Sequence, residues 1–203
     1  MTPRLQLSSG VLVLALALPA GASAQHGGRI DVPDVPFDLT VPEGNAVYLQ
    51  TRAYGTQNYI CLPSGASVAW KLFGPQATLY PPTVPLQVAT HFLSPNPEEP
   101  GVARPTWQDA SDGSAVWARA IQPSTDANYV EAGAIPWLLL EKAGAADGPL
   151  GGSQLSQTTY IHRVNTHGGV APAAGCSAAT HIGAIALVPY STDYFFYRKA
   201  KNQ

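Results

Sequence analysis

Hydrophobic and polar residues alternate along most of the chain after residue 40, and a period of two residues predicts β-strands. Turn sequences rich in glycine and proline recur at intervals of roughly 8–12 residues, which predicts about ten short strands. We place these strands at residues 46–51, 57–62, 67–72, 88–93, 105–108, 114–121, 136–141, 158–164, 184–188 and 190–198. A further segment, residues 77–80, resumes the third strand.

Glycine and proline mark the predicted strand ends. Residues 54–57 are predicted to form a turn, and residues 74–75 to break the third strand. The proline-dense segments 81–85 and 94–101 are predicted to be loops, because proline cannot donate a hydrogen bond within a central strand. Helical signals are weak, and the best candidate is a single turn at residues 125–131 with a capping sequence before it.

The start of the chain has the organisation of a secretory signal peptide. A basic end is followed by an apolar run at residues 11–19 and by small residues that end at Ala24. The apolar run is about half the roughly 20 residues that a membrane-spanning helix needs. We therefore expect residues 1–24 to be removed near Ala24/Gln25, giving a secreted or periplasmic protein with no membrane span in the mature chain.

The two cysteines, Cys61 and Cys176, are expected to form a disulfide, because thiols in exported proteins usually pair. Two buried thiols or an intermolecular bridge are the alternatives. A bridge between strands that are distant in sequence commonly joins two sheets, and this favours an antiparallel β-sandwich with long Pro/Gly-rich loops. A closed β-barrel is the alternative architecture.

The domain organisation follows from the same patterns. Residues 25–40 contain prolines and glycines and are expected to form a loosely ordered lead-in. Residues 41–203 show neither an internal repeat nor a linker, so the sequence predicts a single all-β domain there.

Composition excludes some classes of partner. The chain has 203 residues, of which 11 are Lys or Arg and 13 are Asp or Glu, and no segment carries a block of like charge. Nucleic acid is therefore not an expected partner. The charged fraction is only 12%, while glycine and proline number 19 each, which is typical of an exported, loop-rich β protein.

Motifs for common chemistries are missing. The chain has no Gly-x-Ser-x-Gly nucleophile elbow, no phosphate loop, no dinucleotide fingerprint and no His-Glu-x-x-His sequence. His162, His167 and His181 lie near Cys176, but their spacing matches no dedicated metal-ligand motif, so we expect neither a metal site nor a cofactor. Asp112 lies in turn sequence, where an aspartate commonly caps its own backbone.

Aromatic residues are plentiful for a chain with so few charges, with four tryptophans and nine tyrosines. An exposed aromatic row would stack on sugar rings or on an apolar ligand, whereas buried aromatic side chains would fill the core. Both readings stay open for Trp107 and Trp117.

Several short sequences, taken in order, resemble one known family. They are residues 55–59 with Cys61, 90–92 with 94–97, Trp107, 114–117, 135–138, 163–166 with 168–169 and Cys176, 188–190 and 193–197. The chain is similar over about residues 41–198 to exported bacterial and fungal proteins classed as domain of unknown function 3455. The resemblance implies secretion and a single domain, and it implies no established activity, cofactor or catalytic residue.

The function we expect is a non-catalytic binding or envelope-associated β domain. The candidate ligand-binding residues are His91, Trp107, Trp117, Arg163 and Asn165. Arg163 is expected to reach from its strand to a backbone carbonyl or a carboxylate. The expected partner is a small molecule, a glycan or an envelope component.

The alternative function is a metal-binding protein or a hydrolytic enzyme. It would use His91, His162, Asp112 and Arg163.

Overall fold

The computed structural model describes residues 29–201, so the predicted signal peptide lies outside the described residues. Within them, a short 3₁₀ helix at Phe37–Leu39 precedes eight strands. The strands are β1 Asn45–Ser64, β2 Ser67–Tyr80, β3 Ala89–Pro95, β4 Ala103–Asp109, β5 Ala115–Ser124, β6 Trp137–Ala146, β7 Tyr160–Gly168 and β8 Ile185–Lys199. Residues 29–201 contain no helix with the length and apolar character needed to span a membrane.

The strands form a closed barrel in which each strand is antiparallel to its neighbours in sequence. The barrel closes where residues 45–60 of β1 pair with residues 185–199 of β8. Closure gives both terminal strands a partner on each side, so neither is left as an open sheet edge. The all-β prediction is confirmed.

The observed architecture is the closed barrel, which the sequence analysis kept as its alternative, and not the sandwich that it preferred. The expected disulfide forms between Cys61 and Cys176, whose Cα atoms lie 6.2 Å apart. It joins the end of β1 to the loop between β7 and β8, and not one sheet to another. Because a bridge from a strand to a loop carries no information about the number of sheets, this disulfide does not favour a sandwich over a barrel.

Three strands each join two segments that the sequence predicted to be separate, because glycine and proline do not interrupt them. Residues 54–57 lie within β1 and residues 74–75 within β2. Gly55 packs so closely against β2 that an added Cβ would lie 2.5 Å from the Cα of Ala77, so this glycine permits strand contact and does not form a turn. A register shift at Asn58/Tyr59 leaves Phe73 of β2 without a paired residue in β1.

The last strand also joins two predicted ones, because residues 184–188 and 190–198 are continuous across Pro189 in β8. Likewise, β6 extends to Ala146, beyond the predicted start of a connection at residue 143. The predicted helical turn at residues 125–131 is a hydrogen-bonded turn, in which the backbone N–H of Val130 donates to the carbonyl of Asp126 at 2.8 Å.

Two separate apolar clusters lie on the two sides of the barrel wall. One contains buried residues from all eight strands and therefore fills the barrel interior. Its largest fully buried members are Trp107, Tyr194 and Phe196.

The second cluster lies outside the wall, on the outward side of β6, β7 and β8. Its strand residues are Trp137, Leu139, Val164, Phe195 and Tyr197. Leu39, Val130 and the neighbouring segments 30–41 and 130–134 pack over them. We call this surface the covered face. Part of the predicted lead-in thus packs against the barrel.

Candidate functional site

His91 and Trp107 lie inside the barrel as directly paired residues of β3 and β4. Their rings stack with centroids 4.1 Å apart and an interplanar angle of 12°. Tyr194 of β8 packs edge-on against both rings, at 5.4 Å from His91 and 5.3 Å from Trp107. The closed barrel thus brings Tyr194 of β8 against two aromatic rings of β3 and β4, which are far from it in sequence.

The His91 imidazole is held neutral in this environment. Burial lowers its pKa to about 3, and the nearby Arg163 charge adds to this, while a hydrogen bond to Thr106 opposes it. Nδ1 lies 2.9 Å from the Thr106 carbonyl oxygen. Because a carbonyl only accepts, Nδ1 carries the proton and Nε2 is left as an acceptor.

Arg163 also points into the barrel, where it is the paired neighbour of Tyr194. Its Nε and Nη2 atoms donate to the Pro136 carbonyl oxygen at 3.2 and 2.8 Å, as the sequence predicted for a backbone tie. Among residues 29–201 no carboxylate lies within ion-pair distance of it. Although Arg163 keeps some accessible surface, dense packing lowers its pKa, and the phenols of Tyr194, Tyr190 and Tyr59 oppose this.

Other buried polar groups lie against Arg163 and against one another, at contacts that fall short of well-formed hydrogen-bond geometry. They are Gln57 Nε2, Tyr190 Oη and Tyr194 Oη, in side chains that are 2%, 5% and 0% exposed. Sequence reasoning missed Gln57, Tyr190 and Tyr194. Their inward positions on β1 and β8 become visible only when β1 and β8 are known to be paired.

Gly168 and Gly169, at the end of β7, pack closely against these groups. Both residues have left-handed backbone, with φ of 65° and 81°. A Cβ on Gly169 would lie 2.9 Å from the Cβ of Tyr190 and 3.2 Å from the Cγ of Gln57. The Gly169 carbonyl accepts a hydrogen bond of 2.7 Å from the Tyr59 hydroxyl. Only glycine fits here, so the double glycine packs tightly over the interior groups.

The two remaining candidates lie outside the barrel, at separate places. Trp117 donates from Nε1 to the Ser94 hydroxyl oxygen at 2.8 Å. Asn165 has a positive φ of 51° and donates from Nδ2 to Asp193 Oδ2 at 2.8 Å. Asp193 in turn pairs with Arg52 at 3.3 Å. The structure thus brings together three of the five candidates, His91, Trp107 and Arg163, and their role in ligand binding stays a prediction.

The residues of the alternative function do not share one site. His162 lies on the covered face, where Nε2 is 2.6 Å from the Leu39 carbonyl oxygen and Nδ1 is 3.0 Å from the Tyr197 hydroxyl. Asp112 lies in the β4–β5 turn and accepts from the backbone N–H groups of Ser114 and Gln154. A general acid or base must reach the reacting group of its partner residues, and these side chains point to different surroundings.

Two further histidines, His167 near the end of β7 and His181 in the β7–β8 loop, have separate contacts. His167 contacts Glu131, and His181 accepts from the backbone N–H of Ser177 at 2.9 Å. Within the described part of the chain, no three His, Cys, Asp or Glu side chains are placed to hold a metal ion.

A groove of about 810 Å³ crosses the outward side of β1, β2 and β3. We call this surface the open face. Its walls include Tyr54 and Phe73, which are 56% and 54% exposed. The groove is lined by aromatic, amide, hydroxyl, aliphatic and small side chains, Leu93 and His91 among them, and no Asp, Glu, Lys or Arg contributes to it.

One amide in the groove is held in a fixed orientation. The Thr56 hydroxyl donates to Asn58 Oδ1 at 2.6 Å, so Asn58 Nδ2 is the amide end that is free to donate to a ligand. Gln76 and Thr78 of β2 and Thr90 of β3 supply further polar groups along the groove. An uncharged groove of this kind can bind a neutral ligand that combines flat apolar faces with hydroxyl groups.

The protein is therefore an antiparallel, eight-stranded barrel whose interior contains buried polar side chains and whose outer wall carries an uncharged groove. The chain belongs to the family described as Protein of unknown function (DUF3455), which matches residues 42–198. No curated protein and no solved structure matches the chain.

Proposed function

We propose that this protein is an exported, non-catalytic binding protein whose ligand is a neutral glycan held in the groove of the open face. The observation that carries the proposal is the composition of that groove, in which exposed aromatic rings stand beside an oriented amide and no charged side chain. Aromatic rings stack on the apolar faces of sugars, while amides and hydroxyls pair with their hydroxyl groups.

Export supports a glycan of the cell envelope as the ligand. The signal-peptide organisation of residues 1–24 and the Cys61–Cys176 pair are both typical of proteins outside the cytoplasm. Neutral polysaccharides and the sugar backbone of peptidoglycan are the abundant uncharged polymers that such a protein meets. A linear polymer also suits an open groove, because it can enter without displacing a strand.

Isothermal titration with neutral oligosaccharides and peptidoglycan fragments tests the proposal, with small lipophilic molecules as the competing ligand class. Phe73→Ala removes an exposed groove ring and should weaken glycan binding about tenfold, equivalent to roughly 1.4 kcal/mol. Phe37→Ala is the matched control, because Phe37 is 90% exposed and lies outside the groove.

Failure to bind any neutral glycan would contradict the proposal. So would equal loss of affinity in Phe73→Ala and Phe37→Ala. Binding of lipophiles alone would assign the groove to an apolar ligand instead.

A further inference from the structure

A second hollow lies beside the groove of the open face, on the same outward side of the barrel wall. Its volume is about 720 Å³, and Tyr54 lines both the hollow and the groove. Along β1, Thr56 and Asn58 line the groove, while Gln50 and Arg52 line the hollow. Because alternate residues of a strand point to the same side, these side chains follow one line along the outer wall. The groove and the hollow therefore lie end to end, with Tyr54 between them.

The walls of the second hollow are aromatic and proline-rich. Tyr80 is the paired neighbour of Arg52 across β1 and β2, and its ring centroid lies 6.3 Å from that of Tyr54. Residues 81–85, which follow β2, form a further wall. Three of these five residues are proline, whose ring fixes the backbone, so this wall has few alternative conformations. The hollow thus offers flat apolar surfaces of the kind that sugar rings stack on.

The second hollow also contains an ion pair, which the groove does not. Arg52 Nη1 lies 3.3 Å from Asp193 Oδ1, and both residues line the hollow. Asn165 Nδ2 donates to Asp193 Oδ2 at 2.8 Å and so orients the carboxylate. A guanidinium has more N–H donors than this pair uses, and a carboxylate oxygen accepts more than one hydrogen bond. Because the two charges are paired and a sugar hydroxyl both donates and accepts, the ion pair suits a neutral, hydroxyl-rich ligand.

We propose that this hollow is a second subsite for the glycan of the groove. A sugar unit stacks there on the ring of Tyr80, and its hydroxyls bind the Arg52–Asp193 pair. The inference rests on the function proposed for the groove, and it adds a requirement on the length of the ligand. Residues 50–58 of β1 extend over roughly 26 Å, since each residue of a strand adds about 3.3 Å. A disaccharide is shorter than this distance, so the ligand that fills both subsites is a longer, linear oligosaccharide.

Isothermal titration with two lengths of one polymer tests the inference. The probes are the disaccharide and the hexasaccharide of chitin, with the same two lengths from cellulose as a second series. The wild type should bind the hexasaccharide about tenfold more tightly than the disaccharide, because the second subsite adds ring stacking and hydroxyl contacts. In the NMR spectrum of the wild type, the Arg52 Nε–H signal should shift when the hexasaccharide binds.

Tyr80→Ala removes a ring from the second hollow alone, because Tyr80 does not line the groove. It should weaken hexasaccharide binding about tenfold and leave the disaccharide affinity unchanged, whereas Phe73→Ala should weaken both. Tyr129→Ala is the matched control, since Tyr129 is 37% exposed and lines neither the groove nor the hollow. Its affinities for both lengths should equal those of the wild type.

Equal affinity of the wild type for the two lengths would overturn the inference and leave the function proposed for the groove standing. An equal loss for both lengths in Tyr80→Ala would also overturn it. Failure of every oligosaccharide to bind would instead contradict the function proposed for the groove, and this inference with it. An unchanged Arg52 Nε–H signal in the hexasaccharide complex overturns the second subsite even if Tyr80→Ala does not fold.

Discussion

The covered face and the open face are two parts of the same barrel wall, and the chain treats them differently. On β6, β7 and β8 the outward residues are apolar, and segments 30–41 and 130–134 pack over them. On β1, β2 and β3 the outward residues are polar or aromatic, and they line an open groove. The open face is therefore compatible with exposure to water, whereas the covered face is apolar and is shielded from water by other segments of the chain.

The two faces also differ in how their edges are held. Packing of side chains such as Leu39 and Phe195, which are 0% and 1% exposed, secures the covered face. Beside the open face, the Cys61–Cys176 bond ties the far end of β1 to the β7–β8 loop. This comparison predicts different responses to the same kinds of change.

The largest expected effect comes from removing the covalent tie. The double variant Cys61→Ser with Cys176→Ser should lose about 4–5 kcal/mol of unfolding free energy, because the bridge closes a loop of 115 residues in the unfolded chain. Urea unfolding measures the loss. Hydrogen exchange should accelerate most at residues 60–71, beside the open face, and least in β6 and β7.

Reduced wild-type protein is the control and should match the double serine variant in stability. A loss below about 1 kcal/mol would mean that the bridge adds little to a barrel already held by its strand pairs.

The second expected effect separates the two faces by packing alone. Phe195→Ala on the covered face should cost about 3–5 kcal/mol, because it leaves a cavity under the packed cover. Phe73→Ala on the open face makes the same chemical change at a residue that is 54% exposed, and it should cost less than about 1 kcal/mol. Equal losses in urea unfolding would show that the two faces do not differ as described.

The smallest expected effect is a loss of unfolding free energy at low pH. It involves one histidine in the barrel interior and one on the covered face. Burial lowers the pKa of both His91 and His162 below 6.5, so the unfolded chain binds protons that the folded chain does not. Their neutral forms favour folding above pH 6.5, and stability falls as the pH drops below that value. For His91, whose pKa is about 3, the fall continues toward pH 3.

Between about pH 7.5 and about pH 5.5, His91 should contribute a loss on the order of 1 kcal/mol, and His162 should add a loss of the same sign. Urea unfolding at both pH values measures the slope. His91→Gln should make the slope shallower, while His181→Gln, at an exposed loop position, should leave it unchanged. If His91→Gln leaves the slope unchanged, His91 is not the source of the acid sensitivity.

Some parts of the site were predictable from sequence and others were not. The sequence predicts a backbone carbonyl or a carboxylate as the partner of Arg163, and the structure shows the carbonyl of Pro136. Nothing in the sequence predicts that His91 and Trp107 stack, because their strands pair only in the folded barrel. Trp117 and Asn165 were placed in the same group on residue type alone, which carries no information about the side of the wall.

By itself, the sequence determined that the protein is all-β, that Cys61 and Cys176 are the available disulfide pair, and that Arg163 needs an acceptor, either a backbone carbonyl or a carboxylate. These conclusions rest on local alternation, on residue counts and on the chemistry of single side chains. Local patterns do not record which distant strands pair. Only the tertiary structure therefore shows that β1 pairs with β8 and closes a barrel. Closure places Arg163 beside buried phenol groups and leaves the groove of the open face uncovered.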